Sequence, residues 1–184
     1  KLKNKNLMKK FTRYSTLVFV FIMLLSLNAK AQEFKGLDKS PMDASAYPSS
    51  SKVSDKSIKV VYSRPQLKGR DLSTLAPNGK VWRTGANEAA DIVLYKDMKF
   101  AGKELKAGEY SLFTIPGEKE WTIIFSKDIN VWGAYSYNEA NDVLRVKAPV
   151  TSSKEPLEAF SITFDDNAMY LGWGTTRVAV PISK

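Results

Sequence analysis

Three arginines, Arg64, Arg70 and Arg83, fall within twenty residues of one another, with Asn87 and Glu88 just beyond them and Tyr62 and Trp82 alongside. A guanidinium makes paired hydrogen bonds to a carboxylate or phosphate and stacks on an aromatic face. The block from Arg64 to Glu88 therefore predicts a binding site for a small anionic or carbohydrate ligand. Its candidate contacts are Tyr62, Arg64, Arg70, Trp82, Arg83, Asn87 and Glu88, joined by Trp132 from a later loop. The same residue types also pin loops to a scaffold. Arg83, five residues before Glu88, is read as its ion-pair partner, with Arg64 and Arg70 as the ligand contacts.

Other chemistries are excluded by what the chain lacks. Its 184 residues contain no histidine and no cysteine. That removes Ser-His-Asp and Cys-His nucleophiles, imidazole and thiolate metal sites, and disulfides. No cofactor and no metal is expected. Carboxylates remain: Glu88 or Asp91 as a general base makes a hydrolase the alternative function, which needs a raised pKa in a closed cleft. Glu88 with Asp91 or Asp142 is the candidate pair, although nothing in the spacing sets the separation of about 5–9.5 Å that glycoside hydrolysis requires. The balance favours a binding module over an enzyme, and a structural or protein-interaction domain is the third reading.

Trp82, Trp121, Trp132 and Trp173, with Tyr135 and Tyr137, are candidates for a sugar-stacking platform. Trp121 alternates with Ile123 and Phe125 and is assigned to the core, whereas Trp132 and Tyr135 belong to a loop. Ser49-x-x-Lys52 and Arg83-Thr84-Gly85 echo penicillin-interacting motifs, but no S-D-N accompanies them. Asp165-Asp166-Asn167 reads as a hairpin turn.

The elements that must position these residues are strands. Ile58, Val60 and Tyr62 alternate with Lys59, Val61 and Ser63, a period of two. Arg64-Pro65 ends that strand, and a long loop follows to Lys80 with Gly69, Pro77 and Asn78-Gly79 as turn signals. Short strands are expected at 81–84, 91–95, 98–101, 103–106, 109–115, 120–126, 143–148, 157–164, 168–173 and 175–182, with a helical turn at 86–90. The fold class is all-β: an antiparallel β-sandwich or open barrel of about 8–10 strands with one or two short helical turns.

Residues 1–31 carry a targeting pattern: basic residues, an apolar run from Leu17 to Leu27, then Ala29-Lys30-Ala31. About 11 apolar residues are too few to span a bilayer, which needs roughly 20. The order holds whether translation starts upstream of Lys1 or at Met8. The reading is a signal peptide at 1–31, an N-terminal arm at 32–56 and a β domain at 57–184, in the periplasm or at the cell surface, with no membrane span after cleavage. The formal charge of +9 comes largely from the leader: 28 basic residues less its seven leave 21 against 19 acidic. A surplus of two is no phosphate footprint, so nucleic acid is not a partner.

Tyr62-Ser63-Arg64-Pro65, Lys68-Gly69-Arg70 and the run Gly79-Lys80-Val81-Trp82-Arg83-Thr84-Gly85-Ala86-Asn87-Glu88-Ala89 resemble the hallmark block of domain-of-unknown-function family 2911. The likeness continues through Ala107-Gly108-Glu109-Tyr110-Ser111-Leu112, Glu120-Trp121-Thr122, Trp132-Gly133-Ala134-Tyr135 and Asp142-Val143-Leu144-Arg145-Val146. It covers roughly residues 40–182. The resemblance implies a secreted protein of Gram-negative type and brings no activity and no catalytic residues.

Overall fold

The computed structural model describes residues 2–26 and 32–184, which divide into two units, Lys1–Gly36 and Leu37–Lys184. The first unit holds helix α1, Leu2–Ser26. That segment is free of Gly and Pro, the two residues that most disfavour a helix interior, and the hydroxyls of Thr12 and Thr16 donate to carbonyls one turn back. No described helix is long and apolar enough to cross a membrane. Ala29, Lys30 and Ala31, the expected cleavage site, lie outside the described residues.

The second unit is one open, nine-stranded antiparallel sheet in the order β1-β2-β3-β6-β7-β8-β9-β4-β5. The strands are β1 Met42–Tyr47, β2 Ile58–Ser63, β3 Ala90–Leu94, β4 Met98–Phe100, β5 Lys103–Leu105, β6 Gly108–Ile115, β7 Glu120–Ser126, β8 Asp142–Phe164 and β9 Ala168–Ser183. Two short helical turns interrupt them, α2 at Leu72–Leu75 and a 3-10 turn at Glu139–Asn141. The expected all-β antiparallel class is what the chain adopts.

β8 explains how the sheet becomes two layers. Its first part, to Pro149, pairs with β7, and from Val150 onward it pairs with β9 through two register irregularities. One strand thus carries the chain from one layer to the other. Side chains of strands that are not neighbours then meet face to face: Phe100 on β4 reaches Phe125 on β7 at 4.5 Å, and Tyr62 on β2 meets Phe160 on β8 at 5.6 Å. Alternate residues supply this core, among them Ile58 and Val60, Ile92 and Leu94, Trp121 and Ile123, Leu171 and Trp173. Each large apolar side chain so buried contributes about 1.5–3 kcal/mol.

Several boundaries differ from the sequence reading. Regular structure begins at Met42, inside the expected arm, because β1 pairs with β2 along its whole length. Its sequence, MDASAY, alternates Met42, Ala44 and Ala46 with Asp43 and Ser45, but none of its residues is fully buried, as suits an edge strand with little face to bury. The expected strand at 81–84 is a single bridge, Trp82 to Thr114, and the expected helical turn at 86–90 is a bend through Asn87 followed by Glu88 bridged to Trp132 and the start of β3 at Ala90. The pairs expected at 143–148 with 157–164, and at 168–173 with 175–182, are each one continuous strand. Pro149 keeps register opposite Glu120 at the end of the β7 pairing, and Pro156 in β8 and Gly174 in β9, with a φ of 54°, are accommodated at irregularities rather than ending the strands.

Candidate functional site

The residues of the 64–88 block divide between the two faces of the first layer. Tyr62 is buried, and its hydroxyl accepts from Ile162 N–H at 2.8 Å and donates to Ile162 O at 3.3 Å. It ties β2 to the second half of β8. Trp82 is 6% exposed and stacks on Trp173 at 5.5 Å, with Trp121 and Phe160 edge-on. Three of the four tryptophans therefore form one internal aromatic cluster and offer no face to a ligand.

Arg64 is engaged within the fold. Its Nε donates to Phe160 O at 3.0 Å, one Nη to Asp43 Oδ2 at 3.1 Å and the other to Ser161 Oγ at 2.7 Å. It stitches β1, β2 and β8 together. Arg70 is exposed and turns back on its own loop, donating to Leu67 O and Gln66 O.

Arg83 departs from the expected pairing with Glu88. Among the described residues it makes no ion pair, and its Nε is buried without a hydrogen-bond partner. Glu88 is exposed and reaches across to Trp132 through its backbone. The local chain explains the separation. Thr84 and Asn87 adopt left-handed backbone, with φ of 54° and 62°. Gly85 comes so close to β2 that a Cβ there would sit 3.0 Å from Ser63 O. The segment is thus folded back sharply between Arg83 and Glu88.

A different constellation forms on the outer face of the first layer. In the ladders Asp91 lies opposite Ser111, Ser111 opposite Ser126, and Ser126 opposite Asp142, the last through a bulge at Phe125/Ser126. Directly opposed residues of adjacent strands share a face, with Cβ atoms about 4.5–5.5 Å apart. A polar row consequently crosses β3, β6, β7 and β8. The flanking residues Ile92, Leu112 and Phe125 point the other way, into the core.

Loop 127–141 covers part of this face. Its ends are clasped by Lys127 N–H on Asn141 O and by Asn141 Nδ2 on Asp128 Oδ1 at 2.7 Å. Its middle is laced to the block by Ala89 N–H on Val131 O and Gly133 N–H on Asn87 O. Beneath it, Phe113, Ile124 and Ala89 form a small second core with Val81, Val131, Ala134 and Tyr137 against them. Tyr137 donates to Asp142 Oδ2 at 2.6 Å, and Arg145 donates to the same oxygen at 2.6 Å and to the Tyr137 hydroxyl at 2.7 Å. Burial, aided by the bond to Asp142, pushes the Tyr137 hydroxyl up to about 12.

Among the described residues, four buried side-chain polar atoms have no hydrogen-bond partner: Arg83 Nε, Asp91 Oδ1, Ser111 Oγ and Asp142 Oδ1. Three of them belong to the row. Arg83, next along from Trp82, alternates onto the side of Val81, which packs in the outer cluster. Such atoms cost about 1–3 kcal/mol each when left unpaired, and native proteins hold few of them. They are concentrated on one face of the first layer. Burial, with the nearby carboxylates of Glu109 and Glu88, raises the pKa of Asp91.

Trp132 and Tyr135 stand exposed on the covering loop, at 61% and 85%. Tyr135 is held there by Gly133, where a Cβ would lie 2.7 Å from the ring. Among the described residues no cluster of acids could hold a metal ion. Two hollows run along α1, lined by residues such as Met8, Thr12 and Thr16, and neither is lined by the β unit. Of the predicted contacts, the geometry leaves Arg83, Asn87, Glu88 and Trp132 near the outer face. It adds Ser111 and Ser126, which the sequence reading passed over as ordinary strand positions.

A family model described as Protein of unknown function (DUF2911) matches residues 40–182. No curated protein and no solved structure matches the chain.

Proposed function

The chain belongs to the DUF2911 family of proteins of unknown function, and we propose that it is an exported binding module whose outer-face row takes a polyhydroxylated, carbohydrate-like ligand. The observation that carries this reading is the set of four unpartnered atoms on that face. They comprise one donor, Arg83 Nε, two acceptors, Asp91 Oδ1 and Asp142 Oδ1, and the Ser111 hydroxyl, which is both. A sugar hydroxyl is also both donor and acceptor and can satisfy each of them. A phosphate or dicarboxylate offers mainly acceptors and would confront two carboxylates, so a carbohydrate fits better than an anion. The exposed rings of Trp132 and Tyr135 add flat apolar surfaces of the kind on which sugars stack.

Thermal-shift measurements against mono- and oligosaccharides, inorganic phosphate and dicarboxylates test this proposal. A ligand at about 100 times its Kd stabilises the folded state by about 2.7 kcal/mol. Saccharides raise the Tm and phosphate does not, and the response is lost in Ser111→Ala. A response to phosphate alone, or a saccharide response that survives Ser111→Ala with Asp91→Asn, overturns it.

The raised pKa of Asp91 favours a second reading, a hydrolase with Asp91 as general base. Asp142 is three strands away in the row. At about 5 Å per step it stands roughly 15 Å off, beyond the spacing of a glycosidase pair. Turnover of chromogenic glycosides or esters that vanishes in Asp91→Asn would establish this reading over simple binding.

A further inference from the structure

Asp91 is flanked by two further carboxylates. Glu109 lies on the same face, diagonally across the ladder, since Val93 opposes Glu109 and Asp91 opposes Ser111. Glu88 approaches from the chain just before β3, and both acids disfavour the charged form of Asp91. None of the three makes an ion pair among the described residues. Directly opposite Asp91, Ser111 is 0% exposed and its hydroxyl has no partner. The fold thus gathers negative charge around a fully buried, unsatisfied hydroxyl, and the one cation the register brings to the same face, Lys59 opposite Val93, pairs with none of the three acids.

We infer that the Asp91 end of the row is a subsite for an alkylammonium group, so that the ligand is an amine-bearing saccharide. This rests on the binding reading above and narrows it. An ammonium carries three donors and a full charge. Asp91 Oδ1 takes one donor, Ser111 Oγ the second, and Glu88 or Glu109 the third, while the charge answers all three acids. A metal ion answers them less well, because no acid cluster among the described residues is placed to hold one. Glu88 is bridged to Trp132, so an exposed indole stands beside the subsite, where its face attracts an organic cation.

Isothermal titration of the purified protein with glucosamine, glucose and N-acetylglucosamine tests the inference, because the three differ at a single carbon. Cadaverine and spermidine supply an amine without a sugar. Glucosamine binds about tenfold or more tightly than glucose, a difference of about 1.4 kcal/mol, and acetylation removes the advantage. Asp91→Asn brings glucosamine down to the level of glucose, and its Tm, equal to or above wild type, shows that it folds. Equal binding of glucosamine and glucose overturns the ammonium subsite and leaves the carbohydrate site standing. Binding of cadaverine and spermidine with no sugar response keeps the subsite and overturns the carbohydrate reading. Silence of all five probes overturns both.

Discussion

Arg64 and Arg83 carry the same guanidinium into opposite circumstances, and their alanine variants should separate accordingly. Arg64→Ala removes three donated bonds, one of them to the Asp43 carboxylate. Bonds involving a charged group contribute about 1.5–3 kcal/mol, so this change should lower stability by roughly 2–3 kcal/mol in denaturant titration. Arg83→Ala breaks no ion pair and should stay within about 1 kcal/mol of wild type while abolishing the saccharide response. A loss of about 3–5 kcal/mol, the cost of orphaning a buried charge, would mean that Arg83 does pair with a carboxylate. Asp91 offers a sign test. Its folded pKa is raised above 3.8 by burial first and by Glu109 and Glu88 next. The folded state therefore holds the proton more tightly than the unfolded chain, and stability falls as pH rises from 3.8 through the folded pKa. Asp91→Asn should raise the Tm at pH 7 and make no difference below that window; a lower Tm at pH 7 would contradict the assignment. That the arginines cluster in one block was legible from residue types alone. Which arginine remained free was not, because the answer depends on Asp43, Phe160 and Ser161, far away in sequence.

Loop 127–141 and the strands beneath it set the next scale. The triangle of Tyr137, Asp142 and Arg145 fastens the loop to β8. Tyr137→Phe removes a hydroxyl shared by both partners and should cost about 1–2 kcal/mol. Hydrogen exchange should then accelerate at the amides of Ala89 and Gly133, which bond between the loop and the block; unchanged protection there would show that the triangle does not hold the loop. Strands with strong alternation, such as Ile58–Ser63 and Glu120–Ser126, were legible from the sequence because one face of each is apolar. β1 was not, since its alternating face is mostly small alanine and lies in a polar stretch with Pro41, Pro48 and Ser49-Ser50-Ser51. The polar row was hidden for a related reason. Ser111 between Tyr110 and Leu112 reads as an ordinary solvent-facing position, and Asp91, a candidate general base by residue type, shows nothing in the sequence of its neighbours in the row. Only the register of four strands lines them up, and only the loop covers them.

At the scale of the whole molecule, a two-layer antiparallel sheet with a large aromatic core provides a rigid floor, and the uncommitted chemistry is displayed on its outer side. Export is the other property argued at this scale. With residues 1–31 removed, N-terminal sequencing of the secreted form should begin at Gln32, whereas a protein that keeps its basic leader would contradict the targeting assignment. The row Asp91, Ser111 and Asp142, with Arg83, is the proposed seat of the ligand. Backbone amide chemical-shift mapping during titration with the saccharide giving the largest thermal shift measures this directly. The predicted result is a footprint on residues 83, 88, 91, 111, 126, 132 and 142, with the Arg64 and Arg70 amides still. A footprint centred on Arg64 and Arg70, or none at saturating saccharide, would contradict it.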